Sequence, residues 1–351
     1  NGEKVYAIPG VEASAAPFYS NAKSDYYSII NLKNTNKGYT YAISGLLEKH
    51  FNFGLDMSAS YTFGHAKAVN DGTSSVAYSN WKYNYSRDTN SEDELGFSKF
   101  DIPHRLMIQL SYTTPKYLNG WMATTVALIY NAFSGSRYSL TMNESSDFNG
   151  DGYRGNSLLY IPTESELQQM NFVDYVDKKT GTVIMSAEES RQAFGNWIEN
   201  DSYAKNHRGQ YAERNSNLSD WEHQIDLHIA QDIFYLKERG SKIQVTFDVV
   251  NFTNMLNKKW GASYSSAYNV SPLSVQSIAT EADGSRTPTY TYNSNNEVAK
   301  DDIASRWCKI DILIKYQYNK KRLVSPQRKS AVIFYPSHMS IRTRSCPFFL
   351  A

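Results

Sequence analysis

The sequence predicts an all-β fold, an antiparallel transmembrane β-barrel segment of about seven strands whose long outer loops carry short helices. Three observations carry that prediction. Seven stretches alternate apolar and polar residues with a period of two, which puts the two kinds of side chain on opposite faces of a strand. Each stretch is about ten to fourteen residues long; soluble strands run about five to six, whereas a tilted membrane strand needs about nine to eleven. The connections alternate short and long without a miss, as turns at one end of a barrel and loops at the other do.

The first stretch, GYTYAISGLLEKHF, sets Tyr39, Tyr41, Ile43 and Leu47 on one side. The second, FNFGLDMSASYTFGHA, is the strictest. Phe51, Phe53, Leu55, Met57, Ala59, Tyr61 and Phe63 alternate with Asn52, Gly54, Asp56, Ser58, Ser60, Thr62 and Gly64. Its aromatics flank an aliphatic middle, as two interfacial girdles would. The third, DIPHRLMIQLSY, aligns Ile102, Leu106, Ile108, Leu110 and Tyr112 against Arg105, Gln109 and Ser111. The fourth, WMATTVALIYNAF, is apolar on both faces, with Met122, Val126, Leu128 and Tyr130 the better lipid side. The fifth sets Ile225, Leu227 and Ile229 against Asp226, His228 and Asp232. The sixth sets Ile243, Val245, Phe247 and Val249 against Gln244, Thr246 and Asp248. The seventh, WCKIDILIKYQY, keeps Ile310, Ile312, Ile314, Tyr316 and Tyr318 in phase. The polar residues Asp56, Arg105, Asp226 and Asp248 thereby fall on an inner, lumen-facing side. There the carboxylates, Asp311 among them, pair with Arg105, Lys309 and Lys315 or face water.

Composition agrees with a barrel without proving one. The chain has 351 residues and a formal net charge of +1. Its mean hydropathy is −0.55. No run approaches eighteen apolar residues, so no transmembrane helix is expected; barrel strands, only half apolar, are not excluded by that. Tyr (27) well outnumbers Phe (16), which suits interfacial belts or sugar-facing surfaces. Cys308 and Cys346 have no CxxC or metal-ligand spacing, so neither a disulfide framework nor a zinc site is expected. The first ten residues, NGEKVYAIPG, contain no secretion signal, so an exported protein would be met here as a mature product or a fragment.

The three long connections cover about residues 65–100, 141–220 and 253–304. In the second, TESE (163–166) and SAEE (186–189) read as capping boxes. One opens a helix through Leu167 and Met170, the other a helix carrying Phe194, Trp197 and Ile198. These helices pack the loop on the barrel rim, or else Trp197 or Tyr203 faces a ligand. DFNGDG places Asp147, Asn149 and Asp151 at the first three oxygen positions of a calcium loop. Leu158 stands where the loop needs a bidentate Glu, and Asx turns with glycines explain the same letters. Calcium in a loop is therefore the one cofactor reading, and otherwise none is expected. Trp81, Tyr153 and Trp197 are the candidate ligand contacts of the loops, with Tyr83, Tyr85 and Tyr264 beside them.

Catalysis finds no support. No G-x-S-x-G, HExxH, P-loop or dinucleotide fingerprint is present, and the histidines have no repeated metal spacing. Nucleic-acid binding is not expected, because the basic residues before residue 319 are scattered among acids.

DFNGDGYRGNSLLYIPT, HRGQYAERN, DVVNFTNMLNKKWG and ASRWCKIDILIKYQY, with SYTFGHA and FDIPHRL, resemble the C-terminal part of TonB-dependent outer-membrane receptors. The resemblance is to the Oar-like group related to SusC/RagA transporters, and it covers about residues 28–318. It implies a barrel of roughly 22 strands, plugged by an N-terminal domain, in the outer membrane of a Gram-negative bacterium. It also implies import of a large or scarce nutrient (an oligosaccharide, a peptide or a metal complex), driven by the TonB complex through the plug. Outer-membrane lipid and a surface lipoprotein are further implied partners. On this reading residues 1–38 are part of an extracellular loop, 39–318 are the last strands, and the plug is not in the chain.

Family members end on an aromatic residue that corresponds to Tyr318. Residues 319–351 instead carry Lys320, Lys321, Arg322, Arg328, Lys329, Arg342 and Arg344 and no Asp or Glu. They read as a basic non-barrel tail, either out-of-frame sequence or a native extension. Two functions follow: a TonB-dependent importer, or a surface-binding or adhesion barrel without active transport.

Overall fold

All seven alternating stretches are strands of one antiparallel sheet. They are β1 (Tyr39–His50), β2 (Leu55–Ala68), β3 (His104–Thr113), β4 (Met122–Phe133), β5 (Glu222–Leu236), β6 (Ser241–Val250) and β7 (Lys309–Gln317). The computed structural model describes residues 34–87, 94–144, 148, 153–236, 241–257, 260–264, 269–280, 286–294, 303–305, 309–317 and 339–341. The strands pair strictly in chain order, and the three residues Met339–Ile341 add to the far side of β7. The sheet is open: among the described residues β1 pairs with β2 alone.

Register decides which face each side chain meets, because directly opposed residues share a face. One row runs Met57–Leu110–Leu128–Leu227–Val249–Ile310, and the next runs Leu55–Tyr112–Val126–Ile229–Phe247–Ile312. Every member of both rows is apolar or Tyr. Met57, Leu110, Tyr112, Val126, Leu128, Ile312 and Ile314 stand exposed on this face, as lipid-facing side chains do. The opposite face has its own row, Asp56–Ser111–Ala127–His228–Asp248–Asp311. A slip of one residue at any strand would carry its polar set into the apolar band. The two faces are set by register.

The short connections lie together at one end. Between β1 and β2 the chain turns at residues 51–54, where the Phe51 N–H bonds the Leu55 carbonyl at 2.9 Å. β2 therefore begins at Leu55 rather than Phe51. The reason is Gly54, whose φ of +96° and whose approach to the Thr113 carbonyl leave no room for a side chain. Phe51 and Phe53 stack beside the turn, 5.4 Å apart, instead of alternating along the strand. The turn before β4 places Leu118 and Asn119 at φ of 51° and 52°, the two positive values a tight I′ hairpin turn requires.

The long connections share the other end, and two of them fold together. From the second come Arg137–Glu144, Asn217–Leu218 and the helices; from the third come Asn269–Thr280 and Arg286–Tyr292. These four strands make a separate sheet in which Asn269–Thr280 runs parallel to Arg137–Glu144. Phe194, Ile198, Leu140, Leu159, Ile161 and Leu273 close its core with no more than 1% exposure. The helices α1 (Ala77–Lys82), α2 (Glu164–Gln169), α3 (Ala187–Asn200) and α4 (Phe252–Leu256) complete this end.

Both expected capping boxes are present. Thr163 and Glu166 open α2, and Ser186 and Glu189 open α3. Backbone N–H groups of Thr163 and Ser186 donate to these glutamates and hold both below the usual carboxylate range. α3 packs on the strands of this separate loop sheet, and α2 packs on α3; together they make a cap over the loop end.

The apolar band makes a direct prediction. In the complete, membrane-assembled protein, Leu128→Arg places a charge in the middle of the band and destabilises assembly by about 2–4 kcal/mol. Gln109→Arg, on the opposite face, is tolerated. Urea titration of the folded protein in lipid vesicles reads both.

Candidate functional site

The inner face carries the polar residues the alternation assigns to it. Asp56 contacts His50, and Asp248 contacts His228 across β5 and β6. Asp226 accepts from Gln224 Nε2 at 2.8 Å and from the Asn251 N–H at 2.7 Å. Lys309 donates to Asp311 at 2.5 Å, and Asp232 takes Lys242 at 2.5 Å and Gln244 at 2.8 Å. Arg105 stands exposed on the same face, opposite Thr62 and Phe133. The carboxylates are thus met by histidine, lysine, side-chain amides and backbone N–H, and of the three expected cations Lys309 pairs with Asp311 among the described residues.

At the loop end of the sheet the apolar face finishes in a belt of rings. Tyr61 bonds His104 Nδ1 at 2.7 Å, and His104 stacks on Trp221, 5.8 Å away. Trp221 stacks on His223, which Tyr130 bonds at 2.8 Å. Tyr41, Phe63, His65 and Phe97 extend the belt toward β1. Aromatic girdles were legible in the sequence, but the histidines were not. They serve as ring partners within the belt.

Just beyond the belt lies a buried polar lock. Asp101 and Arg137 are 3% and 5% exposed. Arg137 reaches Asp101 Oδ2 through Nη2 at 2.6 Å and Nε at 2.7 Å. Asp101 Oδ1 accepts the Ala66 N–H of β2 at 2.6 Å. Arg137 Nη1 also donates to the carbonyls of Asn215 and Ser216, and its guanidinium lies 3.8 Å from the Phe97 ring centre. Asn215, at φ 55°, returns Nδ2 to the Phe97 carbonyl at 2.7 Å and exchanges bonds with Ser139. Burial pulls the Arg137 guanidinium below its ordinary value, and Asp101 opposes that shift. Asp101 comes from FDIPHRL and Asn215 ends HRGQYAERN, so two separated motifs meet here. Arg137, in a stretch with no motif, was not foreseen.

Beside the lock is a cavity of about 260 Å³. Its walls include Asn70, Asp71, Asn80, Tyr83, Lys99 and Arg214. Nearby, Lys82 lies over Tyr83 at 4.6 Å, Tyr78 at 5.3 Å and Tyr153 at 5.5 Å, and Trp81 packs on Tyr78. Contact with Tyr83 raises Lys82 above its ordinary value. The structure therefore brings two loop candidates, Trp81 and Tyr153, to one cluster. Trp197 lies apart, stacked on Phe194 at 6.0 Å against the cap core. Tyr203 stacks on His207, and its oxygen accepts the Glu213 N–H at 2.9 Å. Asp147, Asn149 and Asp151, like Tyr318, Cys308 and Cys346, lie outside the described residues. Among the described residues no group of three His, Cys, Asp or Glu side chains is placed to hold a metal ion.

A protein-family profile, the outer membrane beta barrel domain, matches residues 6–282, well over half of the chain. The chain belongs to this family. No curated protein and no solved structure matches it. The outer-membrane barrel accounts for both faces of the sheet: the apolar band meets lipid in the outer membrane of a Gram-negative bacterium, and the polar rows face the lumen. The match spans the first six strands and the cap core up to residue 282, so the folded loops belong to the barrel domain itself.

The lock ties those loops to the barrel. Arg137→Met leaves the Asp101 carboxylate buried without its cation and costs about 3–5 kcal/mol. Removing both charges, in Asp101→Asn with Arg137→Met, recovers much of that loss. Urea unfolding of the assembled barrel measures the cycle.

Proposed function

We propose that the chain is the C-terminal part of the barrel of a TonB-dependent outer-membrane transporter, importing a large or scarce nutrient: an oligosaccharide, a peptide or a metal complex. The observation that supports this reading is the shallow inner face. Along β2 the lumen side is Asp56, Ser58, Ser60, Thr62 and Gly64, and the facing positions are Ser111, Gln109, Met107 and Arg105. In a small barrel, large inward side chains fill the interior. The short polar groups of β2, which the longer Gln109, Met107 and Arg105 face from β3, leave space on that strand's inner side to be filled by something else, and a plug domain fits that need.

The open sheet points the same way. Among the described residues β1 pairs on one side only, and unpaired N–H and C=O groups cannot remain in hydrocarbon, so in this reading further strands complete the wall. In this reading they come from the same protein, with the plug and the TonB-contacting segment N-terminal to them. The TonB complex is then the energy-supplying partner, and a surface lipoprotein would meet the folded cap.

A photo-cross-linking phenylalanine at Gln109 tests the plug. In the complete protein assembled in outer membranes, it should capture a segment of the same chain N-terminal to the barrel. A lumen that conducts ions freely and yields no such cross-link would overturn the transporter reading and leave a binding or adhesion barrel.

A further inference from the structure

The belt at the loop end of the apolar face is more than a row of aromatics. Tyr61, His104, Trp221, His223 and Tyr130 come from β2, β3, the residue before β5, β5 itself and β4, and they form one column of rings. Successive centres lie 6.2, 5.8, 6.3 and 6.1 Å apart, and successive planes meet at 25°, 21°, 17° and 5°. Among the described residues, the histidines on the lipid side are His65, His104 and His223, all at this end. At the short-turn end the Tyr117 hydroxyl is bonded within the protein, to Thr124 and Gln231, and His50 stands on the inner face with Asp56. An interfacial girdle needs only rings with one polar tip, so the histidines call for a reason of their own.

The column is a row of donors. The Tyr61 and Tyr130 hydroxyls meet Nδ1 of His104 and of His223, at 2.7 and 2.8 Å. Neither hydroxyl has another partner among the described residues, so each donates to its imidazole. That leaves the proton of a neutral imidazole on Nε2, and protonation of the ring keeps one there too. Among the described residues neither Nε2 has a partner, and the Trp221 indole N–H has none. Trp221 and His223 are exposed, and His104 Nε2 is not buried. The acids of this end are committed elsewhere. Asp101 is held by Arg137 and Glu213 by Lys67, while Glu222 stands on the inner face opposite Phe133. Asp220 lies within electrostatic reach of Tyr138 in the cap. Three N–H groups that can only donate therefore edge the apolar band, and they select a group that only accepts.

We propose that this column is a headgroup site for an outer-leaflet glycolipid, whose phosphorylated sugar accepts from the N–H groups of His104, Trp221 and His223. Continuity with the lipid face sets the occupant. The column is the outer edge of the apolar rows, where acyl chains end and headgroups begin, and the long loops beside it mark the outer leaflet, where phosphorylated glycolipid resides. The site is read by binding alone, and its failure would leave the transporter reading untouched.

Native mass spectrometry of the complete, detergent-purified protein tests it, with bisphosphorylated lipid A and the same lipid A dephosphorylated. The phosphorylated lipid should bind at least about ten-fold tighter, as expected of charge-assisted bonds. His104→Phe with His223→Phe keeps the rings and removes two donors, and it should bring the two lipids level while the heat-modifiable folded band persists. Trp221→Phe removes the third donor; it should narrow the difference by itself, and it reads the same site if the paired variant fails to assemble. Equal binding of the two lipids by the unaltered protein would overturn the site. So would a phosphate preference that survives these substitutions.

Discussion

A strand in hydrocarbon has no water to satisfy its backbone, so every N–H and C=O must find a neighbouring strand. The rest of this structure follows from that constraint. Pairing fixes register, and register places each residue of β2 through β7 on lipid or lumen. The row centred on Leu128 is apolar on all six of those strands because each strand keeps its own period of two across it; the one irregularity between β5 and β6, at Phe234/Leu236, lies at the far end of that pair. The same register brings His228, Asp248 and Asp311 side by side on the inner face, where charge is tolerated. Polar groups in the lumen need only each other or water.

The loop end obeys a different rule. Outside the membrane, loops can exchange backbone bonds with water, so their order must come from packing. The cap supplies it: a core including Phe194, Ile198, Leu140 and Leu273, gathered from two connections on either side of β5 and β6. Asp101 and Arg137 then join that cap to the ends of β2 and β3, with Asn215 bracing the pair. A buried ion pair of this kind contributes little net stability, but it penalises any arrangement that separates its partners. It fixes where the loops sit. Arg214 and Asn215 leave the same turn and both line the rim cavity, and Asn215 also serves the lock.

What was legible in the sequence was whatever repeats locally. The seven strands announce themselves by period and length, and both capping boxes by a four-residue pattern, because each is decided by near neighbours. For strand two the period runs over residues 51–66, whereas the strand begins four residues later and ends two residues later, at Leu55–Ala68. Phe51 and Phe53 fit the period, but the backbone freedom of Gly54 and its contact with Thr113 end the pattern. The cap was hidden for another reason. Its parallel pairing of Asn269 with Ser139 joins residues with no shared local signal. Arg137 was invisible likewise, since a lone arginine between Ser136 and Tyr138 shows nothing until Asp101 is placed beside it. The spacing of His104 and His223 gives no metal pattern and no other local signal, and their stacking between Tyr61, Trp221 and Tyr130 shows only once the strands are paired.

The central claim is that β2 is a barrel stave with Leu55, Met57, Ala59, Tyr61 and Phe63 toward lipid and Asp56, Ser58, Ser60 and Thr62 toward the lumen. Nitroxide labels placed singly at residues 55 to 63 of the complete protein, assembled in vesicles, test it most directly through collision with oxygen. Oxygen accessibility should alternate residue by residue, high at the odd positions and low at the even ones. Accessibility that fails to alternate, or alternates in the opposite phase, would contradict the account.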